Sequence, residues 1–153
     1  MPDLLAGTKI LALDTPPTVS ATAGISFTTN GVAFTVGSIT GGTYADCAVV
    51  FTAPTTGRVK IHVSARLINA GTSGTLIATE TREGDVIGSG DAVEIASDAL
   101  GVSHYGASFA RLGACHLLSG LTPGASYNTR ILHRVSASSG DIALRELIVE
   151  PAT

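Results

Sequence analysis

From Val59 to Leu67 apolar and polar residues alternate without a break. Val59, Ile61, Val63, Ala65 and Leu67 fall on one side, and Lys60, His62, Ser64 and Arg66 on the other. A period of two over this length predicts a strand with one buried face and one face on polar ground. Further strands are expected at 47–53, with Cys47, Val49 and Phe51 on a shared face, and at 75–82, 92–96, 106–112, 114–119, 127–135 and 142–149. Asn30-Gly31 is a strong two-residue turn signal. A hairpin centred on it would pair Ile25 with Val36, Phe27 with Phe34 and Thr29 with Val32. Pro123-Gly124 suits a type II turn, and Ser97–Gly101 a single helical turn capped by Ser97 or Asp98. No helical period of comparable length appears. About ten strands with turns every eight to twelve residues read as an all-β antiparallel sandwich or barrel.

The first 20 residues read differently. Pro16-Pro17 enforces an extended path that cannot lie inside a sheet. Ile10, Leu11, Leu13, Pro16 and Pro17 are thus the candidate docking arm, residues 1–20, ahead of a sandwich domain at 21–153.

Composition sharpens this reading. Charged residues make up 14% of the 153-residue chain, against roughly 25% in an ordinary soluble domain. A surface so poor in charge fits a protein that covers part of itself with copies or partners. The net charge of −3 argues against nucleic acid as a partner, because that needs a basic footprint. Neither a polybasic run nor a stretch of roughly 20 apolar residues is present, so no membrane insertion is expected. The N-terminus lacks the charged start and apolar core of a signal peptide, which implies synthesis and retention in the cytoplasm. Cys47 and Cys115 both lie in apolar strand contexts and are expected to be buried free thiols.

Candidate chemistry is sparse. His62 is expected on a polar strand face, and His133 as a satisfied core or interface residue. His104 and His116 lack a carboxylate or cysteine at ligand spacing. There is no G-x-S-x-G elbow, calcium loop, P-loop or H-E-x-x-H motif. The chain is therefore expected not to be an enzyme, with no catalytic, cofactor or metal residue assigned. One constellation stands out: Arg130 and Arg134 share a strand face, Arg145 and Glu146 occupy the middle of the last strand, and Glu80 and Arg82 occupy theirs. They form either a solvated outer face or a ring of ion pairs between subunits.

Residues 121–136 (L-T-P-G-A-S-Y-N-T-R-I-L-H-R-V-S) and 140–152 (G-D-I-A-L-R-E-L-I-V-E-P-A) resemble small β-rich structural proteins of actinobacterial phages and prophages. So do A-L-D-T-P-P-T-V at 12–19 and F-T-A-P-T-T-G-R-V at 51–59. The resemblance implies a virion component, either a minor tail protein or a head-decoration protein. Such a component is made in the bacterial host cytoplasm, binds other capsid or tail proteins and needs no cofactor. The F-T-A-P-x-x-G-x-V-x-I pattern is also similar to strands of the C1q/TNF-like jelly roll, which implies a homotrimer. This chain departs from that fold in having only 5% aromatic residues and no tryptophan. L-T-P-G-A-S-Y resembles the L-x-P-x-x-x-Y motif of fibronectin type III domains, where the tyrosine, here Tyr127, anchors a loop. A fibronectin/Ig-like sandwich is thus the alternative fold. The alternative function is a module binding host-surface glycans or proteins, with Tyr44 and Tyr105 as its loop aromatics.

Overall fold

Extended chain dominates wherever the sequence alternates. The computed structural model describes residues 16–36 and 46–153. Ile10, Leu11, Leu13 and Tyr44 lie outside the described residues. The strands are β1 (Val19–Ala23), β2 (Phe27–Thr29), β3 (Ala48–Thr52), β4 (Arg58–Asn69), β5 (Gly74–Glu83), β6 (Ala92–Glu94), β7 (Gly101–Tyr105), β8 (Ala110–Ser119), β9 (Ser126–Val135) and β10 (Gly140–Pro151). Residues 19 and 20 of the expected arm are thus the start of β1.

The strands form two antiparallel sheets. In the first, β1 and β2 line one edge of β10, followed by β4 and then β8. In the second, β3 pairs with β9, β9 with β5, and β5 carries both β6 and β7 on its other edge. If β1–β2 and β6–β7 each count as one interrupted strand, the chain steps between sheets at every connection except β5 to β6. The first and last strands are neighbours. This is the jelly-roll arrangement, and the molecule is an all-β sandwich.

The core lies between the sheets. β4 contributes Val59, Ile61, Val63, Ala65 and Leu67, facing Val49 and Phe51 of β3, Ile77 of β5 and Tyr127 and Ile131 of β9. Residues Ala143 to Glu146 of β10 span Arg66 to Ser64 of β4, one residue more than the partner, and Leu144 adopts φ 50°. This bulge turns Arg145 inward while Glu146 stays outside. Arg145 is 1% exposed, and its guanidinium lies 5.0 Å from the Phe27 ring centre. Burial pulls its pKa down to about 10.

Three expectations are corrected. The Asn30-Gly31 hairpin does not form. Phe27 to Thr29 pair with β10, and the chain then crosses to the second sheet, where Gly31 accepts from the Val135 N–H and Thr35 pairs with His133. Two open sheet edges provide more burial than an isolated hairpin, so the local turn signal loses. Residues 106–112 and 114–119 are not two strands. β7 ends at Tyr105, and β8 runs unbroken through Gly113. Cys115 is exposed on the outer face of the first sheet, whereas Cys47 is buried, its thiol pushed up to about 11 by burial. The expected turn at Pro123-Gly124 is present, with Gly124 at φ 78° and the Ala125 N–H donating to the Thr122 carbonyl at 3.1 Å. Tyr127 anchors it, its hydroxyl accepting from the Thr122 N–H at 2.9 Å. A short 3-10 turn covers Asp98–Leu100, without a side-chain cap from Ser97.

Candidate binding face

The alternation that buries Val59 to Leu67 points Lys60, His62, Ser64 and Arg66 out of the first sheet, and strand register determines what lies beside them. Thr22 of β1 faces Glu146 of β10, Glu146 faces Ser64 of β4, and Ser64 faces Gly113 of β8. Three small residues and one carboxylate thus form a row across four strands. Gly113 keeps this floor low: a Cβ there would sit 3.1 Å from the Val63 carbonyl oxygen and 3.2 Å from the Ser64 Cβ.

Neighbouring rows form the walls of this trough. One wall is Ile148, His62 and Cys115, in register. The other is Arg66 and Arg111, which are Cα partners, with Leu144 on the bulge. Cavities of about 350 Å³ and 270 Å³ open along the trough, the first against His62, Cys115 and Ile148 and the second against Gly24, Arg111 and Leu144. Glu146 lines both.

Polar contacts order the face. Glu146 Oε2 accepts from Ser64 Oγ and from Arg111 Nη2, each at 3.3 Å. His62 Nε2 lies 3.1 Å from Glu150 Oε1 and 3.9 Å from Cys115 Sγ. The hydrogen bond with His62 holds the Glu150 carboxyl below the usual carboxylate range. The Arg66 guanidinium stacks 4.5 Å from the centre of the Phe109 ring, which is 59% exposed.

The charged residues singled out in the sequence are brought together only in part: Glu80, Arg82 and Arg130 meet, whereas Arg134, Arg145 and Glu146 lie apart. Arg130 and Arg134 point out of the second sheet. There Arg130 Nε donates to Glu80 Oε2 at 2.9 Å, Arg82 Nη2 to Glu80 Oε1 at 2.8 Å, and Arg134 Nε to Asp98 Oδ1 at 2.9 Å. Burial opposes ionisation of Glu80, but the hydrogen bonds from Arg82 and Arg130 outweigh it and hold its carboxyl below the usual range. Arg145 is in the core, and Glu146 is on the trough floor.

Histidines follow the same division. His133 is buried against Phe27, ring centres 4.7 Å apart. His104 Nε2 meets the Ser108 carbonyl at 2.7 Å, and His116 Nε2 meets Glu94 at 2.9 Å, a carboxylate brought from β6 that sequence spacing did not reveal. Among the described residues no three His, Cys, Asp or Glu side chains are grouped to hold a metal ion. The trough was invisible in the sequence because its floor comes from four strands. Alternation gave each outward face, but only register could align Thr22, Glu146, Ser64 and Gly113.

No family model matches the chain, and no curated protein matches it. Similar solved structures include infectious bursal disease virus, Gx strain, at 13% identity and a TM-score of 0.42 over 88% of this chain. Arthrobacter globiformis T6 isomalto-dextranase complexed with panose matches at 18% identity and a TM-score of 0.40 over 85% of this chain. The chain spans 32% and 23% of those two chains, respectively. A CBM22-1 xylan-binding domain from Paenibacillus barcinonensis matches at 11% identity and a TM-score of 0.37, covering 88% of this chain and 95% of that domain. The protein is a jelly-roll sandwich.

Proposed function

We propose that the protein is a structural component of a phage or phage-like particle, a capsid decoration or minor tail protein that acts by associating with copies of itself and with other particle proteins rather than by catalysis. The observation that carries this reading is a group of exposed apolar side chains between β5 and β7. Val86, Val93 and Ile95 all project into solvent, Ile95 with 70% of its surface free. On a chain with so few charges, three exposed apolar side chains on one short segment support an association surface there. Three copies is the stoichiometry expected from the jelly-roll resemblance. Light scattering on the purified protein should give a trimer mass, and Ile95→Lys should reduce it to the monomer. A wild-type monomer at about 100 µM, a concentration at which micromolar association is visible, would overturn the reading.

The trough favours a second reading, a module that binds a host-surface ligand. It is open, carries polar side chains along its floor, is built across four strands and is bordered by an exposed aromatic ring.

A further inference from the structure

We propose that the trough on the outer face of the first sheet binds a carboxylate-bearing saccharide, its acid group held by Arg66 and Arg111 and its sugar ring against Phe109. This rests on the binding-module reading and names the ligand chemistry of that site.

The argument begins with charge. Arg66 and Arg111 are Cα partners on β4 and β8, and like charges directly opposite repel unless anions meet them; Glu146 meets Arg111 alone. Every acid on this part of the face already has a donor. Glu146 has Arg111 and Ser64, Glu150 has His62 and Lys60, and Asp141 has the Thr28 hydroxyl. Arg66 has no acid within ion-pair distance among the described residues, and its Nε is buried without a hydrogen bond. The Arg66 guanidinium lies over the Phe109 ring, a contact that restricts its side chain. Its planar fork matches a carboxylate in a way that an ammonium does not.

The surroundings select a sugar over a simple anion. Phe109 offers an exposed apolar ring beside the Arg66 guanidinium, suited to the C–H face of a pyranose. The Thr22 and Ser64 hydroxyls, the Glu146 carboxylate and His62 place donors and acceptors along the floor and far wall, where ring hydroxyls need them. Four strands at the usual spacing make the trough about 14 Å long, room for an oligosaccharide rather than a single small ion. Tyr105, expected as a loop aromatic at a sugar site, is instead the last residue of β7, paired with Gly74, and lies apart from the trough, its ring on Gly74 of the second sheet.

The wall opposite Arg66 carries a native reporter. Cys115 is exposed there, while the only other cysteine, Cys47, is buried. The full chain is alkylated with a maleimide in the presence of trigalacturonic acid, its methyl ester or tri-glutamate, and the rate at Cys115 is followed by mass spectrometry. Trigalacturonic acid is expected to slow alkylation saturably. The ester and the peptide are expected to protect at least about tenfold more weakly, about 1.4 kcal/mol of binding. Arg66→Lys, which keeps the charge and the stem, and Phe109→Ala should each weaken protection by a similar factor, and Tyr105→Ala should leave it unchanged. Equal protection by the methyl ester would overturn the acid specificity while the binding-module reading stood. Equal protection by tri-glutamate would overturn the saccharide. No protection by any of the three would overturn both the inference and the reading it rests on.

Discussion

The outer faces of the two sheets are made from the same kinds of residue and have opposite fates. On the second sheet Leu76, Ala78 and Leu132 point away from the sandwich core and are nevertheless buried. The excursion from residue 84 to 100 folds over this face at Asn128, Arg130 and Arg134. Gly88 sits so close to Arg130 that a Cβ would fall 2.3 Å from its Nη1, the Gly88 N–H donates to Asn128 Oδ1 at 2.9 Å, and Asp98 takes Arg134. Phe34 covers Arg134 from the other side, 5.4 Å from the guanidinium carbon. On the first sheet the equivalent positions, Glu146, Ile148, His62 and Ser64, remain half-exposed. The carboxylate of each central ion pair shows the contrast: the Glu80 side chain is 7% exposed and that of Glu146 is 40%. A jelly roll needs only its inner faces buried. The chain spends a long excursion sealing one outer face and leaves the other open, which is where a ligand can approach.

Three measurements test that asymmetry. The largest effect is expected from Leu132→Ala, about 2–4 kcal/mol of stability lost in urea unfolding, because it opens a cavity at a buried outer-face position. Ile148→Ala, at the matching depth on the open face, should cost under about 1 kcal/mol. Equal costs would mean that the trough is covered in solution.

Burial of β9 from both sides has a consequence in its inner face. His133, with Nδ1 3.2 Å from the Thr35 carbonyl oxygen, is held neutral because burial drives its pKa down to about 4, against the opposing effect of hydrogen bonds at Thr35 and Val36. In the unfolded chain the imidazole takes up a proton below about pH 6.5. Between pH 6.5 and 4 the unfolded state therefore binds more protons, and stability falls as pH falls, by about 3 kcal/mol over the full window. Unfolding curves at pH 7 and pH 4.5 should show this loss, and His133→Phe should flatten it. A flat profile in the wild type would mean that His133 reaches solvent.

The smallest difference compares the two carboxylates. Glu80→Gln leaves Arg82 and Arg130 facing each other in a partly buried site and is expected to cost about 2 kcal/mol. Glu146→Gln, whose partners are largely in solvent, should change stability by no more than about 0.5 kcal/mol. A cost at Glu146 as large as that at Glu80 would indicate that a second molecule buries the trough in the wild-type protein.

Most of the strand pattern is legible in the order of residues. Alternation in 58–67, 47–53 and 127–135 locates β4, β3 and β9 and assigns their inward residues, because a two-residue period admits only one way to bury Val, Ile and Leu together. The Pro123-Gly124 turn and the Tyr127 anchor are equally readable, since their signals lie within seven residues. The failures have a common cause. Asn30-Gly31 carries a good hairpin signal, yet β10 and β9 compete for the residues on either side of it. Gly113 reads as a strand break, yet β4 holds it in register from one side. Cys115 sits among apolar neighbours, yet its side chain follows the outward phase of β8.

Local order was therefore a property of the sequence by itself: an all-β chain, its inward and outward residues, and a surface short of charge. Which strand lies beside which was decided only in the tertiary structure, because pairing between distant segments is won by the total surface buried and not by any short motif. That choice separated Arg130 and Arg134 from Arg145, turned Arg145 into the core through a one-residue bulge, and covered the outer face of the second sheet. It also aligned Thr22, Glu146, Ser64 and Gly113 into a trough that no stretch of the sequence contains.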